Sequence, residues 1–336
     1  MRAGRMILYL GKKILFFFLS VLFLSAAVFL VSRLAPGDPL RSYYGDRVEK
    51  MTPAERERAE DRLGLNEPLL AQYARWLGNA LQGDLGISYQ YKQDVGEVIA
   101  SRAENTLILG GIGFSLVFAL SLLLGILCAW QEGRLLDRVA CKIGAAVSCI
   151  PDFWLSLLLL TVFSAGLGWL PSSGAYSIGK EGGWGDRILH LILPLSVVVL
   201  GHVWYYAFLV RSRILEEAGT DYALLARAKG MSKRKVLSRH CLRGAMPAYL
   251  SIMAVSVPHI LGGTYIVETV FSYPGIGALA YESARYKDYN LLMALCVLSG
   301  ALVILCGMAA QAINEWIDPR MRGEEKEKME LAEREP

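Results

Sequence analysis

The segment DYALLARAKGMSKRKVLSRHCLRGAMP, residues 221–247, is basic, rich in helix-forming residues and flanked by apolar runs. From residue 211 to residue 243 the chain carries nine basic residues and only three acidic ones. Antiparallel helices are commonly joined by a short connection of a few residues. A basic segment of this length is therefore predicted to contact something in water.

The residue pattern of this segment predicts two helices that meet at a glycine. Thr220 or Asp221 can cap the first helix, and its alanines favour helix formation. Lys229 lies near the C-terminus of that helix, where the helix dipole favours a cation, and Gly230 can adopt the left-handed conformation that ends it. Ser232 can then cap a second helix that runs toward the next apolar run.

Two explanations of the basic segment follow from its residues alone. The small alanines of the first helix would allow a partner protein to approach closely. A basic helix also binds the surface of an anionic membrane, and the preference of cytoplasmic loops for Lys and Arg accounts for much of the charge. Both explanations remain open at this point.

The composition of the whole chain favours a polytopic membrane protein. The chain has 336 residues, of which 54% are hydrophobic. A transmembrane helix needs about 20 mostly apolar residues to cross roughly 30 Å of hydrocarbon. We therefore predict an all-α fold with six transmembrane helices, the third to fifth of which contain a proline. The predicted spans are about Ile7–Val31, Thr106–Trp130, Ile143–Leu167, Ile188–Val210, Ala248–Phe271 and Leu291–Ile313.

The apolar run at the N-terminus is predicted to be a retained helix. It has a basic start, as a signal peptide does, but its apolar part Ile14–Val31 is longer than a signal core. The six cysteines lie mostly in or beside spans without CxxC spacing, which predicts buried thiols and no metal site or disulfide.

The distribution of Lys and Arg predicts the orientation, because short cytoplasmic loops collect these residues. The N-terminus has four basic residues before its apolar core, whereas the loops 168–187 and 272–290 each balance two basic with two acidic residues. Both termini and the basic segment are therefore predicted to be cytoplasmic. The predicted parts are the N-terminus with the first span (1–31), an extracytoplasmic helical segment (32–105), a five-helix core (106–316) containing the cytoplasmic loop 211–246, and a charged cytoplasmic tail (317–336).

The extracytoplasmic segment is predicted to contain two short helices that pack on the outer mouth of the core. Thr52, Pro53 and Glu55 have the spacing of a capping box with proline at the first helical position. Leu69 to Leu81 shows a helical stripe of apolar residues.

Several short motifs occur in a fixed order over about residues 5–322. In the basic segment they are Tyr222-Ala-Leu-Leu-Ala226-Arg-Ala228-Lys229-Gly230 and His240-Cys-Leu-Arg243-Gly-Ala245. Elsewhere they are Pro36-Gly37-Asp38-Pro39, Leu63-Gly-Leu-Asn66-Glu-Pro68, Gly83-Asp-Leu-Gly86-Ile-Ser88, Pro151-Asp152-Phe153-Trp154, Glu268-Thr-Val-Phe271-Ser-Tyr-Pro274-Gly275, Arg285-Tyr-Lys-Asp288-Tyr289 and Asp318-Pro-Arg320-Met-Arg322. Together these motifs resemble the permease subunits of the dipeptide, oligopeptide and nickel ABC importers.

The resemblance implies the type I ABC importer architecture and uptake of di- or oligopeptides, with nickel or a nickel chelate as the alternative substrate. It implies a second homologous permease, two ATP-binding subunits and an extracytoplasmic substrate-binding protein as partners in a bacterial inner membrane. ATP and magnesium would be bound by the ATPase partners, so no cofactor is expected on this chain. Membrane lipid is expected around it, and no nucleic acid partner is expected.

In this family the short helix of the basic segment sits in a groove of the ATPase, and closure of the ATPases rocks the permease halves. The resemblance assigns this docking to Asp221, Tyr222, Ala226, Arg227, Ala228, Lys229, Gly230, His240 and Arg243. Two departures affect the docking motif. Leu224 stands where importers generally have a glutamate, and Gly244 replaces the usual asparagine.

No nucleotide-binding or catalytic motif is found in the sequence, so a translocating, non-enzymatic subunit is predicted. The glycine-lysine pairs at Gly11 and Gly179 lack the spacing of a phosphate-binding loop, and no HExxH or GxSxG occurs. The histidines are scattered without metal-ligand spacing.

Polar groups inside spans are candidates for the translocation path, because their burial in lipid is costly. They are Asp152, His202, His259 and Glu268. The carboxylates could instead lie at the membrane interface, and the histidines could bond neighbouring helices. A secondary transporter driven by an ion gradient is the alternative of another class. It predicts paired carboxylates or inverted repeats, and the sequence shows neither.

Overall fold

A computed structural model describes residues 2–34, 39–179 and 183–317. The motif residues 36–38 and 318–322, and the tail from residue 318 onward, lie outside these ranges. The described residues form helices and no β-strand, with an isolated bridge between Ile87 and Asp94. The helices are α1 (Arg2–Leu34), α2 (Pro39–Tyr44), α3 (Pro53–Leu63), α4 (Leu69–Leu81), α5 (Val95–Trp130), α6 (Leu135–Ser148), α7 (Asp152–Leu159), α8 (Trp184–Ala218), α9 (Asp221–Ala228), α10 (Lys233–Val236), α11 (Leu242–Val270), α12 (Ile276–Arg285) and α13 (Tyr289–Ile317).

Five helical stretches are long and apolar enough to cross a membrane, and they coincide with five of the six predicted spans. They are Gly11–Leu34, Val95–Trp130, Trp184–Ala218, Lys233–Val270 and Tyr289–Ile313. The fourth of these joins α10 to α11 through a π-helical turn at Leu237–Cys241. The helix that contains the predicted fifth span therefore begins well before Ala248, inside the basic segment.

The predicted third span, Ile143–Leu167, is wrong as a continuous helix. The chain bends by 99° between α6 and α7, and only this bent pair taken together would supply a sixth span. Pro151 causes the break, because its ring disfavours helical backbone at the preceding residue and its ψ of 143° is extended. After α7 the helix widens into a π-helix over Leu160–Gly166.

The chain divides into two compact units, and the first comprises Met1–Leu107 with Pro274–Leu305. It contains the two predicted outer helices, α3 and α4. The capping box of α3 is present, since Thr52 accepts a hydrogen bond from the Glu55 backbone N–H and donates its own N–H to the Glu55 carboxylate. On α4, the Tyr73 hydroxyl lies 2.8 Å from Ser25 of α1, and its ring packs on Phe29. The helix α2 and a 3₁₀ turn at Gly45–Lys50 were not predicted.

A polar clasp in the first unit holds the loop before α5 to the start of α13. The Asp288 carboxylate accepts hydrogen bonds from the Ser88 hydroxyl at 2.5 Å and from the Gln90 backbone N–H at 3.0 Å. The Tyr91 hydroxyl donates to Glu282 at 2.7 Å. Burial, aided by this bond to a carboxylate, raises the pKa of Tyr91 to about 12.

The second unit comprises Ile108–Tyr273 with the described residues after Leu305, and α8 lies at its centre. Phe118 of α5 packs on Tyr206 of α8 and Tyr249 of α11, with ring centroids 4.7 and 5.9 Å apart. The Tyr249 hydroxyl also donates to the Phe118 carbonyl at 2.6 Å. These contacts join α5, α8 and α11 around a shared apolar core.

Candidate functional site

The basic segment folds as two helices separated at Gly230, as the sequence predicts. The helix α9 ends at Ala228, and Gly230 has a φ of 85°, in the left-handed region that glycine tolerates best. Thr220 and Ser232 occupy the N-cap positions, but neither side chain makes the capping hydrogen bond. The Thr220 hydroxyl donates instead to the Glu217 carbonyl at 2.6 Å.

The inner face of α9 is anchored to the second unit by its alanines. Ala223 is fully buried and Ala226 is 7% exposed, and both belong to the same apolar core as Ile214 of α8 and Val236 of α10. Residues three apart share a helix face, so this face is already covered by the protein's own side chains. Ala226, assigned to docking by resemblance, lies on this buried face.

The outer face of α9 is apolar and open. Leu224 is 49% exposed and Leu225 is 56% exposed, and Ala228 continues the Leu224 side of the helix one turn later. Asp221, Tyr222, Arg227, Lys229 and Gly230 are also exposed. Sequence reasoning missed this apolar surface, although the spacing of the leucines against the alanines was the signal that could have revealed it.

A cavity of about 430 Å³ lies where α8, α9 and the start of α11 meet. It brings Tyr222 together with His240 and Arg243, three of the predicted docking residues from both halves of the segment. The Tyr222 hydroxyl donates to the Glu217 carboxylate. Burial, together with this bond, raises the pKa of Tyr222.

Gly244 makes room for this arrangement. A Cβ atom at residue 244 would lie 2.8 Å from both the Glu217 carboxyl carbon and the Tyr222 hydroxyl oxygen. An asparagine there would displace one of them. The departure at Gly244 therefore has a physical reason, which is the close approach of the Tyr222–Glu217 pair.

Two ion pairs fix the ends of the helices that lead into the segment. The Arg211 guanidinium binds the Asp137 carboxylate through two nitrogens, at 2.6 and 2.8 Å, and joins α8 to α6. Asp137 is 3% exposed and also accepts a bond from the Gly133 backbone N–H. Lys233 contacts Glu132 at 2.9 Å and ties α10 to the loop after α5. The sequence predicted only that Arg211 and Lys233 contribute to the positive charge of the basic segment, and it did not predict their acidic partners.

A cavity of about 960 Å³ lies among α5, α6, α7, α8 and α11. It brings together three of the four predicted path residues, Asp152, His202 and His259. The rings of the two histidines lie 5.4 Å apart in an edge-to-face arrangement. His202 places its Nδ1 2.9 Å from the Val198 carbonyl within α8. Asp152 lies against Gly201, where a Cβ atom would be 2.6 Å from its Oδ1.

Glu268, the fourth predicted path residue, does not line this cavity. It is fully buried near the C-terminal end of α11, as is the Tyr273 ring beyond that end. Burial raises the pKa of Tyr273, and the Arg187 guanidinium opposes that shift. The Glu268 carboxyl group adds to the rise in the Tyr273 pKa. Glu268 therefore belongs to a buried cluster with Arg187 and Tyr273.

Residues 121–323 match the family model described as the inner membrane component of binding-protein-dependent transport systems. The chain belongs to this family. The permease is 35% identical over 294 residues to the oligopeptide transport system permease protein AppB of Bacillus subtilis, an alignment that covers 87% of the permease and 92% of AppB. It is 34% identical over 303 residues to a putative peptide permease of Brucella suis, covering 90% and 95% of the two chains.

The fold of the permease is also found in a solved transporter. An inward-facing crystal structure of the MetNI methionine ABC transporter superposes with a TM-score of 0.52 at 18% identity, over 66% of the permease and 96% of that chain. At this identity the likeness concerns the fold alone. It confirms the predicted all-α, type I ABC importer permease architecture, and the family match favours an ABC permease over the secondary-transporter alternative.

Proposed function

We propose that the permease is one of the two translocating subunits of a peptide importer driven by separate ATPase subunits. The observation that carries this proposal is the two-sided helix α9, whose alanine face is anchored to the permease and whose leucine face is open. An exposed apolar face on a short helix is costly in water unless a partner covers it. The similarity to peptide permeases gives the substrate class.

The partners follow from this arrangement. A second homologous permease completes the path, two ATPases carry the ATP and magnesium, and a substrate-binding protein delivers the peptide from outside. Residues 32–105 help to receive that protein, while both termini and the segment 211–246 face the cytoplasm. The permease itself hydrolyses no ATP.

The docking surface on α9 is an apolar centre with a cationic edge. Leu224, Leu225 and Ala228 form the centre, and Arg227 and Lys229 lie beside it. It fits an apolar groove with acidic residues at its rim, since complementary charge steers docking and fixes register. Because α10 continues into α11, a movement of the basic segment is transmitted directly to a membrane span. Such a connection would allow ATPase closure to switch the permease between two arrangements of its helices.

Nickel uptake is the weaker alternative. The relatives from Bacillus subtilis and Brucella suis are named as peptide permeases, and neither name mentions a metal. Within the described ranges, no three His, Cys, Asp or Glu side chains are placed to hold a metal ion. We therefore favour peptides as the substrate.

A single substitution on the open face of α9 tests the docking surface. Leu225→Asp should leave membrane insertion unchanged and abolish copurification of the ATPases and peptide uptake in proteoliposomes. Leu70→Asp is the matched control, because Leu70 is an exposed leucine of the outer segment, 84% exposed. This control should retain the ATPases.

Two results would overturn the proposal. Unchanged ATPase association in Leu225→Asp would place the docking surface elsewhere. Peptide uptake that continues without ATP, or a wild-type complex that copurifies no ATPase, would remove the permease from the class of ATP-driven importers.

A further inference from the structure

The ionisable side chains around the large cavity leave one uncompensated formal charge. Arg211 lines the cavity, but Asp137 neutralises it through the bidentate ion pair. The Asp152 carboxylate also lines the cavity, and it makes no hydrogen bond or ion pair with any side chain in the described part of the chain. The cavity therefore attracts cations.

The backbone around Asp152 is built to keep this carboxylate in place. Asp152 is the first residue of α7, where the helix dipole stabilises an anion. Gly201 of α8 lets the carboxylate lie directly against that helix, because a Cβ atom at residue 201 would lie only 2.6 Å from Oδ1 of Asp152. The bend at Pro151 directs the start of α7 toward α8. The position of the Asp152 carboxylate is therefore fixed by this bend, by the start of α7 and by Gly201.

The other walls of the cavity suit an organic cation. Tyr205 and Tyr206 both line the cavity, and Tyr205 is 59% exposed whereas Tyr206 is 3% exposed and packs on Phe118. Aromatic faces attract ammonium groups at distances of up to about 6 Å. The cavity volume of about 960 Å³ is at the upper end of the range of roughly 300–1,000 Å³ that small-molecule ligands occupy. A bare metal ion would leave most of this space unused, and no metal-binding group of three ligands occurs in the described residues.

We infer that the Asp152 carboxylate binds the N-terminal ammonium group of a peptide during its passage through the permease. This inference rests on the proposed peptide uptake. The ammonium donates to the carboxylate, and the exposed Tyr205 ring lies in the wall of the same cavity. The amino terminus is the one cation that peptides of any sequence share, so this site would handle many peptides without reading their side chains.

Uptake by the reconstituted importer, with its partner subunits, tests the role of this charge. Asp152→Asn should lower uptake of a tripeptide with uncharged side chains about 10-fold, which corresponds to the loss of one charge-assisted hydrogen bond. Asp152→Glu should recover most of that loss. Ser115→Ala removes an exposed hydroxyl of α5 that does not line the cavity, and it should leave uptake unchanged. ATPase activity stimulated by the loaded binding protein should be unaltered in all three variants.

A chemical cross-link tests the contact itself. A water-soluble carbodiimide joins a carboxylate to an amine by an amide bond and takes up the lost water as a urea. Added during turnover with a labelled tripeptide, it should attach the peptide to the fragment that contains Asp152. The N-acetylated tripeptide, or the Asp152→Asn variant, should give no such adduct. An N-acetylated peptide that contains lysine shows whether a side-chain ammonium can use the same site.

The outcomes separate this inference from the proposed function. A wild-type importer that takes up no peptide contradicts the proposed function. A wild-type importer that takes up peptides while Asp152→Asn performs equally well contradicts the ammonium site alone. A labelled adduct spread over other carboxylates, with none at Asp152, also contradicts it.

Discussion

Asp152 and Glu268 are both carboxylates near the ends of apolar runs, and the sequence predicts the same role in the translocation path for both. The structure separates them. Asp152 lies at a bend, partly exposed and facing a large cavity, whereas Glu268 is fully buried near Arg187 and Tyr273. An acidic residue in a membrane span can therefore serve solute passage or hold the protein together, and its surroundings decide which.

The expected roles of the two carboxylates differ because Glu268 is surrounded by protein groups and Asp152 faces an open cavity. A buried charge is stable only with charged or hydrogen-bonding neighbours, and removing one of them leaves the others uncompensated. A charge that faces a hydrated cavity needs no protein partner and is free to receive a solute. We therefore expect substitution of Glu268 to affect stability and substitution of Asp152 to affect transport.

Glu268→Ala is expected to have the largest effect on stability. It removes a fully buried carboxyl group from the cluster with Arg187 and Tyr273, and loss of one partner from a buried ionic cluster costs about 3–5 kcal/mol. The midpoint of thermal unfolding in detergent should fall by several degrees. Asp152→Ala should move that midpoint little. A similar midpoint for both variants would remove the distinction between the two carboxylates.

Asp137→Ala should be nearly as damaging, because it leaves the Arg211 guanidinium without its partner. We expect a loss of about 3 kcal/mol in the free energy of unfolding. The double variant Asp137→Leu with Arg211→Met should be more stable than Asp137→Ala, since it removes both charges. Denaturation of the three proteins in the same detergent measures this difference, and a double variant that is less stable than Asp137→Ala would speak against the ion pair.

Gly201→Ala should disturb Asp152 with a smaller effect. The added methyl group would take the space of the carboxylate oxygen and move it off α8. Peptide uptake should fall several-fold, while the free energy of unfolding changes by about 1 kcal/mol. Gly262→Ala in α11 is the control, because nothing lies within 4 Å of a Cβ atom at that residue. Equal uptake by both variants would show that the position of the carboxylate is unimportant.

Tyr91→Phe concerns a third carboxylate, Glu282, which lies outside the spans, and should have the smallest effect. The Tyr91 pKa is raised to about 12, so its contribution to stability is complete below the ordinary value of about 10 and is lost as the pH rises through the raised value. Between pH 8 and pH 11.5, the unfolding midpoint of the wild type should fall more steeply than that of Tyr91→Phe. Parallel curves would contradict this.

The elements that depend on local sequence were predictable. The capping box at Thr52, the left-handed Gly230 and five of the spans follow from apolar length and local backbone preference. The bend at Pro151 was missed because transmembrane helices often tolerate proline, and only the packing around α6 and α7 decides between a kink and a break.

Features that join distant residues were not predictable from one sequence. Ser88 and Asp288 are 200 residues apart in the chain, and nothing in either motif indicates that they bond. The same holds for Asp137 and Arg211, and for the space that Gly244 leaves for Tyr222 and Glu217. These contacts depend on the fold and are visible only in the structure. The same is true of the large cavity, which brings together three of the four predicted path residues and leaves out Glu268.

The interrupted helix at residues 149–151 has a consequence for permeability. When α6 and α7 cross a bilayer together, the peptide groups at this interruption lie at membrane depth, where irregular backbone is tolerated only inside protein or beside water. Ser148 and Asp152, on either side of it, both line the large cavity. Water would then accompany every solute into the permease, so the barrier that keeps ions from leaking must form at a different level of the path.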